Sequence, residues 1–306
     1  MPSRYRIFFR AEHGKAAGRM SYSKVVELTE GKVFALHNTF PLDGRISAYP
    51  ISARGQSVSN CYLLKEESGA LLLDTGYAAH EAEILAQLES LIDPDLPLHL
   101  LPLRINEFMS VGNAMAIAKR FNVVECLAPV PEINEWLEFE ALEPSGGNNG
   151  NPILPTTILK PLHPIEIGDR YIEVMIAPIR LISTRWIYDA ATRTLFTSDM
   201  FSHLWTDRAE GPWLLDEDEV TTTSFVRSFL LNTRYWWLEG ARTDSIRKGI
   251  AEVFERYDIE TIAPGYGAIL RGRHLVEQQF AVLDEVLAGF DRSVVKPGYV
   301  ALGLER

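Results

Sequence analysis

Residues 59–76 read SNCYLLKEESGALLLDTG. Two apolar, β-compatible runs, SNCYLLKE (59–66) and GALLLDTG (69–76), are bounded by polar or glycine-containing clusters, the pattern of paired strands. Asp74-Thr75-Gly76 closes the second run. KVFAL (32–36) reads as a further strand upstream. Downstream, Ala82, Leu85, Leu88 and Ile92 recur at helical spacing, and Pro94 and Pro97 stop that helix. LHLLPLR (98–104) follows as a short buried strand, then a helix over 112–121 and a strand at NVVECLAP (122–129).

EPSGGNNGNP (143–152) has the density of Gly, Asn and Pro expected of a surface loop. After it, TTILKPL, YIEVMIAPI, STRWIYD and TLFTSD return to strand-type patterning, with DAATRT as a hairpin connection. From Val220 the pattern is helical. Residues 243–257 and 274–290 form amphipathic helices around the strand and loop ETIAPGYG (260–267), and TTTSF marks a helix start. Strands with helices, repeated once, predict an α/β fold of two halves packed sheet to sheet with helices outside. Residues 1–30 are expected to be an arm or first strand, and residues 31–306 one domain whose halves join near 143–152.

Hydrophobic residues at 46% and charged residues at 23% match a globular chain able to bury a core without disulfides. Cys61 and Cys126 lie inside apolar runs and are expected to be buried free thiols. A net charge of −11 argues against nucleic acid or anionic membrane as general partners. The basic start, MPSRYRIFFRAEHGKAAGRM, has an apolar centre too short for a signal peptide, and no run of eighteen apolar residues follows. The expectation is a soluble, cytoplasmic protein. The chain holds no P-loop, dinucleotide fingerprint, GxSxG elbow or CxxC.

Five segments stand in a familiar order. SNCYLL with ALLLDTG, then LPLRINEFMSVGN (101–113), APIRLISTRWIYD (177–189), TLFTSDMF (194–201) and IAPGYGAILRG (262–272) resemble the successive motifs of the metallo-β-lactamase fold superfamily. The resemblance spans about residues 32–272 and implies a four-layer αββα sandwich. The EF of the second motif and the ending APGYGAILRG look most like the flavodiiron-type diiron branch, whose flavodoxin module is not expected within these residues. That branch also implies a head-to-tail homodimer.

Carried over from the resemblance, the metal-binding positions fall on Ile105, Glu107, Met109, Ser110, Arg180, Asp199 and Tyr266. Only Glu107 and Asp199 offer hard oxygen donors. A tight zinc or iron site needs at least three protein ligands, mostly imidazole and carboxylate, and arginine repels a metal. No histidine lies between His99 and His163, so a shifted alignment, which could place Arg104 at the first position, recovers none. No cofactor is therefore expected, with Zn or Fe as the alternative.

The replaced positions suggest other chemistry. Arg180 is expected to pair with Asp199, substituting charge-assisted hydrogen bonds for metal–carboxylate attraction. This pairing would either neutralise an inert site or leave a cleft in which Arg104, Arg180 or Arg185 holds an anionic small molecule. Tyr266 and Ser110 would then donate hydrogen bonds. Glu107, Asp199 and Tyr266 are the acid–base candidates. His203, four residues after Asp199, is a possible base or stray ligand, though polar surface is the simpler reading. Asp74 would support the site from behind. His163 and Glu166 have metal-like spacing, but Pro164 between them favours a strand connection. Tyr235-Trp236-Trp237 is best explained by burial against the outer sheet. Three classes remain: a ligand-binding protein, a metal-independent enzyme using this cleft, and a hydrolytic or diiron metalloenzyme with a rebuilt ligand set.

Overall fold

The computed structural model describes residues 22–104, 107–137, 154–159 and 164–292. Strands β1 (Ser23–Thr29), β2 (Val33–Pro41), β3 (Gln56–Glu66) and β4 (Gly69–Leu73) pair antiparallel in sequence order. Helix α1 (Glu81–Glu89) then leads to β5 (Leu98–Leu101), α2 (Phe108–Val111), α3 (Ala114–Arg120), β6 (Val123–Ala128), α4 (Ile133–Leu137) and β7 (Thr156–Ile158). β5, β6 and β7 extend the sheet in parallel from β4, giving seven strands in chain order. The 143–152 loop lies outside the described residues.

The second half runs β8 (Ile165–Ile167), β9 (Arg170–Ile176), β10 (Arg185–Asp189), β11 (Thr194–Ser198), β12 (Leu214–Leu215), α5 (Thr223–Leu231), α6 (Asp244–Arg256), β13 (Thr261–Pro264), β14 (Ile269–Arg271) and α7 (Arg273–Phe290). Its seven-stranded sheet has the order β12-β14-β13-β11-β10-β9-β8. β10 and β11 form the expected hairpin around DAATRT. Thr222 caps α5 by accepting from Phe225 N, as the TTTSF segment suggests. β8 falls where the sequence predicts only a connection, because three residues give too short a pattern to register.

Strand alternation builds the layers. Leu71 and Leu73 of β4 point between the sheets, with Val33, Ala35, Tyr62 and Leu64, against Ile172, Ile187, Phe196 and Ala263 of the second sheet. Ala70 and Leu72 of the same strand point the other way, onto Ile84 and Leu88 of α1 and Ile117 of α3. The second sheet's outer face is covered by α5, α6 and α7 through Phe229, Val253, Phe280 and Leu283. The result is the four-layer αββα sandwich. Buried on both faces, β4 reads as a continuous apolar run. A buried Arg170–Asp189 ion pair (Nε to Oδ1 3.0 Å) sits beside this core, and Arg170 Nη1 also donates to Lys32 O of the first half at 3.1 Å. Both cysteines are buried free thiols.

The loop after β4 receives α2. Gly76 N donates to Met109 O (2.7 Å), Thr75 Oγ1 to Ser110 O (3.1 Å), and Asn113 Nδ2 to Thr75 O (2.8 Å). Gly112 permits this approach: a β-carbon there would lie 2.6 Å from Phe108 O and 2.8 Å from Gly76 O. Gly112→Ala is therefore expected to destabilise the fold by about 1–3 kcal/mol, despite alanine's better helix propensity. Urea denaturation reads this directly, and an unchanged or raised midpoint would contradict the packing account.

Candidate functional site

At the rim where β4, β5, β11 and β13 end, four charged side chains meet. Arg104 follows β5 and is held by a bridge to Thr184. Asp199 follows β11, Glu107 precedes α2, and Arg234 lies in the turn after α5. One Arg104 Nη donates to Asp199 Oδ1, and Arg104 also reaches Glu107 at 3.7 Å. Arg234 Nη1 donates to Glu107 Oε1 and to Asp199 Oδ2, the latter at 3.2 Å, while its Nη2 donates to Ser47 Oγ at 2.9 Å. Asp199 thus bridges two guanidiniums, one on each oxygen, and Glu107 touches both.

Burial decides what this network means. The side-chain exposure of Arg104 is 0%, of Asp199 7%, of Arg234 10% and of Glu107 19%. Burial alone disfavours the Arg104 charge, but Asp199 and its other anionic neighbours outweigh this and raise its pKa. The same balance, with Asp199 and Glu107 as the anions, raises that of Arg234. Tyr266, fully buried, lies with its ring centroid 5.3 Å from the Arg104 Cζ and shares a 2.7 Å hydrogen bond with Tyr77 Oη. Burial pushes the Tyr266 hydroxyl well up and that of Tyr77 to about 12, so both stay protonated at neutral pH. Asn60 Nδ2, donating to Pro264 O and Gly267 O at 2.8 and 3.0 Å, holds the loop that carries Tyr266.

Asp74 is buried beneath this network and accepts from Leu103 N at 2.8 Å. Desolvation raises its pKa to about 6, against the opposing pull of Arg104. Ser110 Oγ also favours the ionised form but completes no hydrogen bond of good geometry. Asp74 and Ser198 both have left-handed φ, 59° and 55°, a strain of about 1–3 kcal/mol each that residues around binding sites often store.

The structure brings Glu107, Asp199, Tyr266 and Arg104 together, with Ser110 and Asp74 behind them. It does not bring Arg180. That side chain is exposed and donates to Ala177 O at 2.6 Å, so the expected Arg180–Asp199 pair is replaced by Arg104–Asp199–Arg234. Arg185 turns to Pro129 O (3.1 Å). His203 is not polar surface: it is buried behind Asp199, shares a 3.0 Å hydrogen bond with Thr221 Oγ1, and desolvation lowers its pKa to about 4. Ile105 and His163 lie outside the described residues. Arg234 was missed. Its only signal is a lone charge within the aromatic and apolar run LNTRYWWL (231–238).

Above the network opens a cleft of about 1210 Å³. Phe40, Ile46, Tyr77, Val111, Met115 and Trp136 contribute to its walls, and Ser47, Glu107 and Arg234 also line it. Arg104, Asp199 and Tyr266 do not line it; they are sealed below.

No protein-family profile matches the chain, and no curated protein sequence does. Solved structures of flavodiiron proteins share its fold, so the sandwich is of the metallo-β-lactamase type. Rubredoxin oxygen:oxidoreductase from Desulfovibrio gigas superposes with a TM-score of 0.66 at 16% identity, covering 87% of this chain and 62% of that one. A flavoprotein from Thermotoga maritima gives 0.63 at 20%, covering 89% and 63%. A fragment of a diflavin flavoprotein from Nostoc gives 0.62 at 14%, covering 88% and 97%. The chain spans about three fifths of the length of the first two.

A diiron centre needs several imidazole and carboxylate ligands gathered at one position. Among the described residues no three His, Cys, Asp or Glu side chains converge to hold a metal. The two carboxylates nearest the position are already bonded to two fixed cations, which would repel a dication.

Two outcomes test this geometry. Asp199→Asn keeps the volume but leaves two buried guanidiniums short of an anion, an expected cost of about 3–5 kcal/mol. Arg104→Met with Asp199→Leu is expected to cost well under the sum of the single changes, by at least about 1 kcal/mol in a denaturation double-mutant cycle; additive losses would refute the coupling. The pH profile is the second. His203 is protonated in the unfolded chain below about pH 6.5 and only near pH 4 when folded, so it costs stability as pH falls through that interval. Asp74 acts oppositely: its folded pKa lies above the unfolded value of 3.8, so stability is lost as pH rises toward 6. Between pH 6.5 and 4, His203→Gln should flatten the acid loss of stability and Asp74→Asn should steepen it. Melting temperatures across this range check both, and equal slopes in all three proteins would contradict the assignments.

Proposed function

We propose that this chain is a metal-independent protein that has lost the ligand set of its fold and binds a small molecule in the cleft above the arginine–carboxylate network. The observation that carries this reading is that Arg104 and Arg234 take up the carboxylates, Asp199 and Glu107, that a metal pair would need. At about 1210 Å³ the cleft exceeds the roughly 300–1,000 Å³ common for ligand pockets. Its walls are rich in apolar and aromatic side chains. Its charged lining balances in sign: Arg234 faces Glu107 at the floor, and Arg45 and Arg208 share the rest of the lining with Asp207 and Glu210. A largely apolar molecule with a hydrogen-bonding head toward Ser47, Glu107 and Arg234 therefore suits it better than the anionic ligand that the sequence suggests. With Asp199 sealed and the tyrosines protonated, binding is favoured over catalysis. Two buried free cysteines fit a reducing, cytoplasmic setting. Homodimerisation rests on the resemblance to the diiron branch alone.

Metal analysis together with a ligand titration tests the reading. Protein purified without a His tag or chelator should carry less than about a tenth of an equivalent of Zn, Fe or Mn. An environment-sensitive apolar dye, anilinonaphthalene sulfonate, should bind saturably at one site. Ala79 lines the cleft and is exposed, so Ala79→Trp should fill the space without disturbing the core and weaken binding at least about tenfold. One or two equivalents of metal that disappear in Asp199→Asn would overturn the proposal and restore a metallohydrolase or diiron oxidoreductase with a rebuilt ligand set.

A further inference from the structure

Tyr77 lines the cleft together with Phe40 and Glu107. It follows Gly76 in the loop that receives α2, and its carbonyl accepts from His80 N at 2.9 Å and from Asn113 Nδ2 at 3.0 Å. Phe40 stands edge-on to both Tyr77 and Tyr266, with ring centroids 6.2 Å apart in each pair. A backbone clamp and a ring contact thus hold the Tyr77 side chain in place. Its hydroxyl lies 2.7 Å from that of Tyr266.

Two hydroxyls that share one hydrogen bond leave one proton over, and burial decides which. Tyr266 is 0% exposed, and among the described residues its hydroxyl has one hydrogen-bond partner, Tyr77. Were Tyr77 the donor, the Tyr266 proton would be buried without an acceptor, at the full desolvation cost of that group. With Tyr266 donating, the free proton is that of Tyr77, which is half-buried and faces the cleft. The pair therefore presents an O–H donor to the cleft. Accepting from Tyr266 also polarises that O–H, since hydrogen bonds in a chain strengthen one another.

Such a donor selects an oxygen acceptor. A carboxylate or phenolate would unbalance a lining in which Arg45, Arg208 and Arg234 offset Glu107, Asp207 and Glu210. An alcohol would bring a proton that needs its own acceptor, and Glu107 and Ser47 already accept from Arg234. A neutral carbonyl carries neither cost. We propose that Tyr77 is the hydrogen-bond donor that anchors the ligand of this cleft, and that the ligand is a neutral carbonyl compound, a ketone or ester, with an apolar body. This assignment rests on the cleft being a small-molecule site.

Prodan, a neutral aromatic ketone, labelled with carbon-13 at its carbonyl, tests this on the full chain. Isotope-edited infrared spectra should show the carbonyl stretch of the bound probe lowered by hydrogen bonding, and Tyr77→Phe should remove that shift. The same variant should weaken prodan about tenfold, while dimethylaminonaphthalene, which lacks the carbonyl, loses less than about twofold. Tyr77→Phe leaves the Tyr266 hydroxyl without its partner, so Tyr77→Phe combined with Tyr266→Phe, which removes both groups, should show the same losses without that mismatch. Ala79→Trp should weaken both probes, which places them in the cleft. A carbonyl stretch that is the same in wild type and in both tyrosine variants would overturn the proposal while leaving the cleft as the binding site. Equal weakening of the two probes by Tyr77→Phe and by the double variant would also overturn it, because a packing defect does not distinguish a ketone from its parent amine. Failure of both probes and of the apolar dye to bind would overturn the cleft reading, and this assignment with it.

Discussion

Asp199 divides its two oxygens between two arginines from the two halves of the chain, and the surrounding architecture depends on keeping that arrangement dry. Arg104 comes from the first half, Arg234 from the turn after α5, and Glu107 closes the group from the start of α2. Such a network contributes little net stability compared with an apolar core of equal volume, because desolvation consumes most of the attraction. Its weight lies in what happens when it is incomplete. An uncompensated charge at full burial is far more costly than the intact network is favourable, so each member constrains the other three. The unit charges also balance: two guanidiniums meet two carboxylates. Two divalent ions at the same place would carry twice that positive charge, and among the described residues no three His, Cys, Asp or Glu side chains gather there to hold them.

The frame is rigid where the network needs it. Asp74 and Ser198 hold left-handed backbone, Ser198 directly before Asp199 and Asp74 at the head of the loop that receives α2. The hydrogen bonds from Gly76, Thr75 and Asn113 pin α2 against the loop after β4, which fixes Glu107. Asn60 does the same for the Tyr266 loop. Tyr266 then packs its ring toward Arg104 and its hydroxyl toward Tyr77, leaving no open path from the cleft to the lower guanidinium. Strain and burial here serve a closed arrangement.

Much of this was legible in the sequence. The strands buried on both faces, such as GALLLDTG, read as apolar runs because both sheet faces are covered, and the motif order located Glu107, Asp199 and Tyr266 on one rim. Arg104 was legible only as a shifted alignment. Arg180 misled because spacing within the loop 177–184 does not determine which way a side chain turns; the chain sends that guanidinium outward and supplies Arg234 instead. Arg234 had no local pattern to announce it. Its partners lie 35 and 127 residues away, so its role exists only after α5 has packed on the second sheet. His203 resembled a polar surface residue because a four-residue offset from Asp199 says nothing of the helices that close over it.

The division between sealed and accessible charge bears on selectivity. Arg104 and Asp199 are out of reach, whereas Arg234 and Glu107 face the cleft while already bonded to each other. A ligand group that took Arg234 away from Glu107 would strand a carboxylate beside Asp199, so displacement is disfavoured and only additional hydrogen bonds are available. Ser47, held by Arg234 at 2.9 Å, is the flexible member of that set, since a hydroxyl can rotate to serve a new partner. Discrimination among molecules must then come chiefly from the shape of the apolar walls, with the floor fixing orientation.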